Sequence, residues 1–207
     1  LPRESDAALY THAGPEIAVA STKAFLAQIT AAYLLGLYLA QLRGNKYKDE
    51  IASILAELQN MPAKIQKVID NDTQVKELGV EMKDASSVIF LGRHVGFPVA
   101  MEGALKLKEI TYIHAEGFAA GELKHGPIAL IDEGQPVIVV VPSANGRDSL
   151  HGKVVSNIQE VRARGAFTIV VAEEGDEAVK PYADRLITVP ACPSLLQPLL
   201  ATVPLQI

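Results

Sequence analysis

Residues 87–112 read SVIFLGRHVGFPVAMEGALKLKEITY, and the fold turns on this stretch. Ser87 to Leu91 is a short run of β-branched and large apolar side chains closed by Gly92, and Pro98 to Tyr112 carries helical spacing. A strand that leads straight into a helix is the opening half of a βαβ unit. The pattern recurs downstream. Val137 to Val141 is a continuous apolar run ended by Pro142, followed by a helical stretch from Leu150 to Arg164; Ala166 to Ala172 and Leu186 to Val189 are further apolar runs. Strands without polar alternation are covered on both faces, so these runs predict a parallel sheet between helical layers, a three-layer αβα arrangement. In such open sheets ligands bind beyond the carboxyl ends of the strands, which points to the loops after Leu91, Val141 and Ala172.

Upstream the texture changes. Ile51, Ile54, Leu55 and Leu58 fall at helical spacing, and Ile65, Val68 and Ile69 repeat it after Pro62, which reads as the start of a new helix. Charged residues fill the opposite faces, as in amphipathic helices that bridge two units. Further upstream, Ser21 and Thr22 read as the N-cap of a charge-free stretch from Ala24 to Leu42, stopped by Arg43 and Gly44. Its 19 residues approach the ~20 of a membrane span. Gln28, Thr30 and Gln41 interrupt it, which favours a helix buried inside the protein or a subunit interface.

The 207 residues are 49% hydrophobic and 21% charged, the balance of a globular chain. A net charge of −5 with a pI near 5.6, and no basic run with interleaved aromatics, argues against nucleic-acid binding. Cys192, the one cysteine, forms no intramolecular disulfide, which fits a reducing cytoplasm, and excludes an all-cysteine zinc site. Flanked by Ala191 and Pro193, it has no basic neighbour to activate it. No metal or cofactor is expected. The chain opens on Leu1 rather than Met, without a basic-then-apolar leader, and runs apolar from Leu195 to Ile207 without a helix stop. It is expected to be a piece of a larger protein.

The helix after Gly92 carries the most unusual chemistry. Glu102, Lys106 and Glu109 are spaced i, i+4, i+7, within an arc of about 60° at 100° per residue. The surrounding positions are apolar apart from Lys108 and Gly103. The spacing suits a self-contained salt-bridge ladder. The start of this helix just after the Gly92 loop, at the sheet's expected ligand-binding edge, adds a second reading: a base beside an anion-holding ammonium, able to move a proton on carbon next to a carbonyl. A second constellation is Gly121-Glu-Leu-Lys-His-Gly-Pro127, which sets His125 in a loop constrained by two glycines and a proline. A third is Val19-Ala20-Ser21-Thr22-Lys23, where hydroxyls and free backbone donors open a helix that could receive an anion. His12, His114 and His151 read as structural, and His94 is a distant candidate at a strand end.

Ala18–Ala24, Met101–Ile110, His114–Glu116, Gly121–Pro127, Asn157–Gly165 and Thr202–Gln206 together resemble the glutamine–fructose-6-phosphate aminotransferase (glucosamine-6-phosphate synthase) family, nearly end to end. The resemblance implies a flavodoxin-like sugar-isomerase (SIS) fold: residues 1–46 the C-terminal part of a first SIS subdomain, 47–84 a helical connector, and 85–207 a second SIS subdomain lacking its C-terminal tail. It implies conversion of fructose 6-phosphate and glutamine to glucosamine 6-phosphate and glutamate, in amino-sugar biosynthesis. Glu109 would move the proton between C1 and C2, with Lys106 and Glu102 beside the sugar. His125 would assist ring opening from the neighbouring subunit of a homodimer, and Val19, Ala20 and Ser21 would line the sugar-phosphate site. The family's glutaminase domain, its first phosphate loops and its Schiff-base lysine fall outside residues 1–207, so this segment alone is expected to be nearly inactive. Two other readings remain: an SIS sugar-phosphate isomerase or deaminase without a glutaminase domain, and a non-catalytic sugar-phosphate sensor. A sensor would need neither Glu109 nor His125.

Overall fold

The computed structural model describes residues 2–145 and 150–207, in two compact units, Leu1–Gln59 and Asn60–Ile207. The first unit holds a short 3-10 helix (Pro2–Glu4), α1 (Lys23–Leu42) and the beginning of α2 (Lys48–Asp70). Among the described residues α1 is the one helix long and apolar enough, by length and composition, to cross a membrane. Leu37 is its sole buried residue, whereas Leu35, Tyr38 and Leu42 are exposed. The expected burial of this helix is therefore absent within the described residues.

Two local expectations are corrected here. Ser21 and Thr22 do not cap α1 with their side chains. The Glu16 carboxylate takes that place, accepting hydrogen bonds from the Thr22 and Ala24 N–H groups (3.2 and 3.1 Å) and from the Thr22 hydroxyl (3.2 Å). Pro62 does not open a new helix but lies inside the continuous α2. Met61 and Val68 around it are buried, and that packing outweighs the one backbone bond a helical proline removes.

The second unit is built on a five-stranded parallel sheet of β1 (Ser87–Gly92), β2 (His114–Ala119), β3 (Pro136–Val140), β4 (Phe167–Glu173) and β5 (Arg185–Val189). The spatial order is β2-β1-β3-β4-β5, the flavodoxin-like doubly wound order. β2 was not foreseen. As an edge strand with one buried residue, Ala115, it carries His114, Glu116 and Gly117 and lacks the apolar run that marks a central strand.

The period of two along each strand sorts the layers. Ile89, Leu91, Val137, Val139, Val170 and Ala172 pack with Val154, Ile158 and Val161 of α5 (His151–Arg162). The opposite face receives α4 (Gly96–Thr111), with Phe90 lying against Gly103. α3 (Thr73–Glu81) and the short α6 (Gln197–Ala201) complete the helices. Gly92 is required for the β1–α4 turn, because a Cβ there would overlap the Gly96 carbonyl.

Candidate active site

The three charged residues of α4 come together as the spacing predicts. Lys106 Nζ donates to Glu109 Oε2 at 2.6 Å and lies 3.6 Å from Glu102 Oε1, an ion pair beyond hydrogen-bond length. Exposure grades along the strip: the side chain of Lys106 is 5% exposed, Glu102 10% and Glu109 33%. Glu109 is thus the member open to a ligand, with the other two behind it. Glu102 Oε1 has no hydrogen-bond partner among the described residues. The pairing within the strip thus leaves Glu102 with a 3.6 Å ion pair in place of a hydrogen bond, and an unmet buried acceptor is costly.

Burial raises the Glu102 carboxyl above the ordinary glutamate range, partly offset by the Lys106 ammonium. Burial is also the largest influence on Lys106 and works against its charge, yet the Glu109 hydrogen bond and the attraction of both carboxylates leave its value raised. The ammonium is therefore kept charged, with two carboxyl groups sharing it.

The strip's position differs from the expectation drawn from the loop after Gly92. At 1.5 Å rise per residue, Glu102 lies about 9 Å and Glu109 about 20 Å along α4 from its start. The strip thus runs down the flank of the helix, away from the carboxyl edge of the sheet. Lys106 also borders an apolar groove of about 470 Å³, with Phe90, Ile138, Ile187 and Leu205 in its lining.

The other candidates lie on other elements. His125 ends a 3-10 helix (Ala120–His125) after β2, joined at Gly126 (φ 149°) to another (Pro127–Leu130). What was expected as a loop is thus two tight helical turns hinged on a glycine. The His125 side chain is 75% exposed and faces Glu122 at 4.0 Å. Val19, Ala20 and Ser21 belong to the first unit; Val19 is exposed, Ala20 buried and Ser21 half-buried. Two donors of that helix start are already engaged by Glu16, whose carboxyl is held below its usual range, the Ala24 N–H bond acting most strongly. Glu16 was missed in sequence because it lies six residues before Thr22, outside the N-cap window. His94, exposed at the end of β1, has a left-handed backbone (φ 52°). His151 pairs with Asp176 at 2.6 Å, both nearly buried. Cys192 is half-buried, its N–H bonded to Glu173. No cluster able to hold a metal occurs among the described residues.

Comparison with known proteins adds a lineage. Over all 207 residues the chain is 76% identical to the glutamine–fructose-6-phosphate aminotransferase [isomerizing] of Corynebacterium glutamicum, and it is 65% identical to that of Streptomyces coelicolor. It spans 33% and 34% of the lengths of these relatives. The structure superposes on the C-terminal domain of glucosamine-fructose-6-phosphate aminotransferase from Francisella tularensis with a TM-score of 0.91 and 42% identity, covering 99% of this chain and 57% of that one. A glucosamine-6-phosphate deaminase from Thermotoga maritima shares the fold at 22% identity (TM-score 0.62; 93% of this chain, 51% of that one). Residues 81–207, more than half of the chain, match the SIS domain, and the chain belongs to the SIS domain family.

Proposed function

We propose that residues 1–207 are the isomerase portion of a glutamine–fructose-6-phosphate aminotransferase, which binds the sugar phosphate and moves a proton between its C1 and C2. The observation that carries this reading is the α4 strip: a partly open carboxylate, Glu109, held by a buried ammonium, in a chain 76% identical along its length to a relative of that name. Glu109 accepts the proton from C1 and returns it to C2, so the residue is unchanged at the end of the cycle. Lys106 aims the carboxylate, Glu102 stands behind Lys106, and the Val19-Ala20-Ser21 segment contributes to binding the sugar phosphate. His125 opens the sugar ring of the neighbouring subunit's ligand in a homodimer, a role that its outward-facing imidazole supports.

In the full-length chain, residues 1–46 complete a first SIS subdomain, 47–84 connect, and 85–207 form the second. A glutaminase domain supplies ammonia in the reducing cytoplasm, and α1 packs in a subdomain or subunit interface. In the full-length protein, Glu109→Gln is expected to lower kcat by about 100-fold or more, the scale of a general base, with sugar-phosphate affinity within a few-fold of wild type. Unchanged turnover would remove Glu109 from the mechanism.

A further inference from the structure

We propose that Glu102 is a positioning residue: it competes with Glu109 for the Lys106 ammonium, and its protonation decides how firmly Lys106 grips the carboxylate that does the chemistry. The inference rests on Glu109 being the base, and it gives Glu102 a role behind the sugar rather than against it. Three observations carry it. Lys106 stands between two carboxyl groups, close to one (2.6 Å) and a loose partner of the other (3.6 Å). Glu102 and Lys106 are nearly buried while Glu109 is one-third exposed, so ligand access is to Glu109. Glu102 Oε1 is buried without a hydrogen bond.

A buried carboxylate oxygen in that state has two remedies: to take a proton, or to draw a donor to itself. The donor at hand is Lys106. Closing 3.6 Å to an ordinary charged hydrogen bond of about 2.8 Å needs less than 1 Å of movement at the tip of a flexible side chain. That movement loosens the bond to Glu109. With Glu102 neutral, Lys106 belongs to Glu109; with Glu102 ionised, it is shared and Glu109 is a freer base. Burial holds Glu102 toward its neutral form, so the exchange occurs as pH rises above the ordinary glutamate range.

Few other charges compete. The elements packed on α4, namely β1, β3 and α6, carry no titratable side chain. β2 brings His114 and Glu116, which pair with each other at 3.5 Å. Across the apolar groove, Lys76 and Lys83 are paired with Asp72 and Asp84. Lys108 is on α4 itself.

The test is the pH profile of kcat and KM in the full-length protein, for wild type and Glu102→Gln. Wild type is expected to show a rise in kcat through a carboxyl ionisation above the ordinary glutamate range. Glu102→Gln should erase that rise, leaving kcat about tenfold lower on the alkaline side with KM for fructose 6-phosphate within about threefold. A variant profile parallel to wild type would overturn the inference, as would a loss confined to KM, which would place Glu102 against the sugar. A second measurement needs no turnover: in carboxyl-carbon NMR of the labelled protein, the Glu109 resonance should follow the titration of Glu102, and independent titrations would contradict the coupling. A Glu109→Gln variant with full turnover would instead remove the base on which both readings stand.

Discussion

Lys106 is a charged residue 4% exposed in the middle of α4, and its presence there is explained by the two carboxyl groups that flank it. Glu102, Lys106 and Glu109 were legible in sequence because helical spacing alone sets which side chains share a face. What spacing could not show was depth: that Glu109 is the open member, that Glu102 keeps an orphan oxygen, and that the strip lies far along α4. Glu16 was illegible because a helix start can recruit a carboxylate from an irregular segment whose path no periodicity encodes. His125 was legible as a constrained imidazole, though not as an outward-facing one. His125→Ala is expected to slow turnover of ring-closed fructose 6-phosphate far more than that of an open-chain analogue, as steady-state kinetics on both would show. Equal losses on the two would contradict a ring-opening role.

The elements show where pattern succeeds and where it gives way to packing. β1, β3 and β4 were readable to within a residue or two because central parallel strands are apolar throughout. β2 was hidden because an edge strand needs no such run, and the break at Pro62 was overruled by burial on either side of it. The approach to β5 is held by a polar knot at the start of β4. The fully buried Thr168 has two acceptors within reach of its one hydroxyl proton, the Tyr182 carbonyl (2.6 Å) and Asp184 Oδ2 (2.8 Å), and its N–H donates to Asp184 Oδ2 (2.8 Å). Thr168→Val keeps the shape and removes the hydroxyl, so denaturant melts should show a loss of about 1–3 kcal/mol. Burial raises the Asp184 carboxyl, but the Thr168 bonds and Arg162 outweigh it, and its net value is lowered. Its folded value lies below its unfolded one, so its stabilisation is complete above the unfolded value and is lost as pH falls through the folded one. The acid-side fall in melting temperature should accordingly be shallower in Asp184→Asn than in wild type.

At the scale of the whole molecule, the order β2-β1-β3-β4-β5 is the doubly wound one, and strand composition sufficed to anticipate four of its five strands. Assembly was not legible in the same way, because an exposed imidazole and an uncovered apolar helix do not name what meets them. If His125 serves the neighbouring subunit, coexpressed full-length Glu109→Gln and His125→Ala chains should form hybrid dimers with one intact site. Random pairing then restores about a quarter of wild-type activity from two inactive parents. No recovery would place both residues in one subunit's site. The most direct measurement of the central claim, that the α4 carboxylate acts on sugar carbon, is proton exchange at C1 of fructose 6-phosphate in heavy water, followed by NMR with the full-length protein. The predicted result is exchange with wild type and none with Glu109→Gln at saturating sugar phosphate; exchange undiminished in the variant would contradict it.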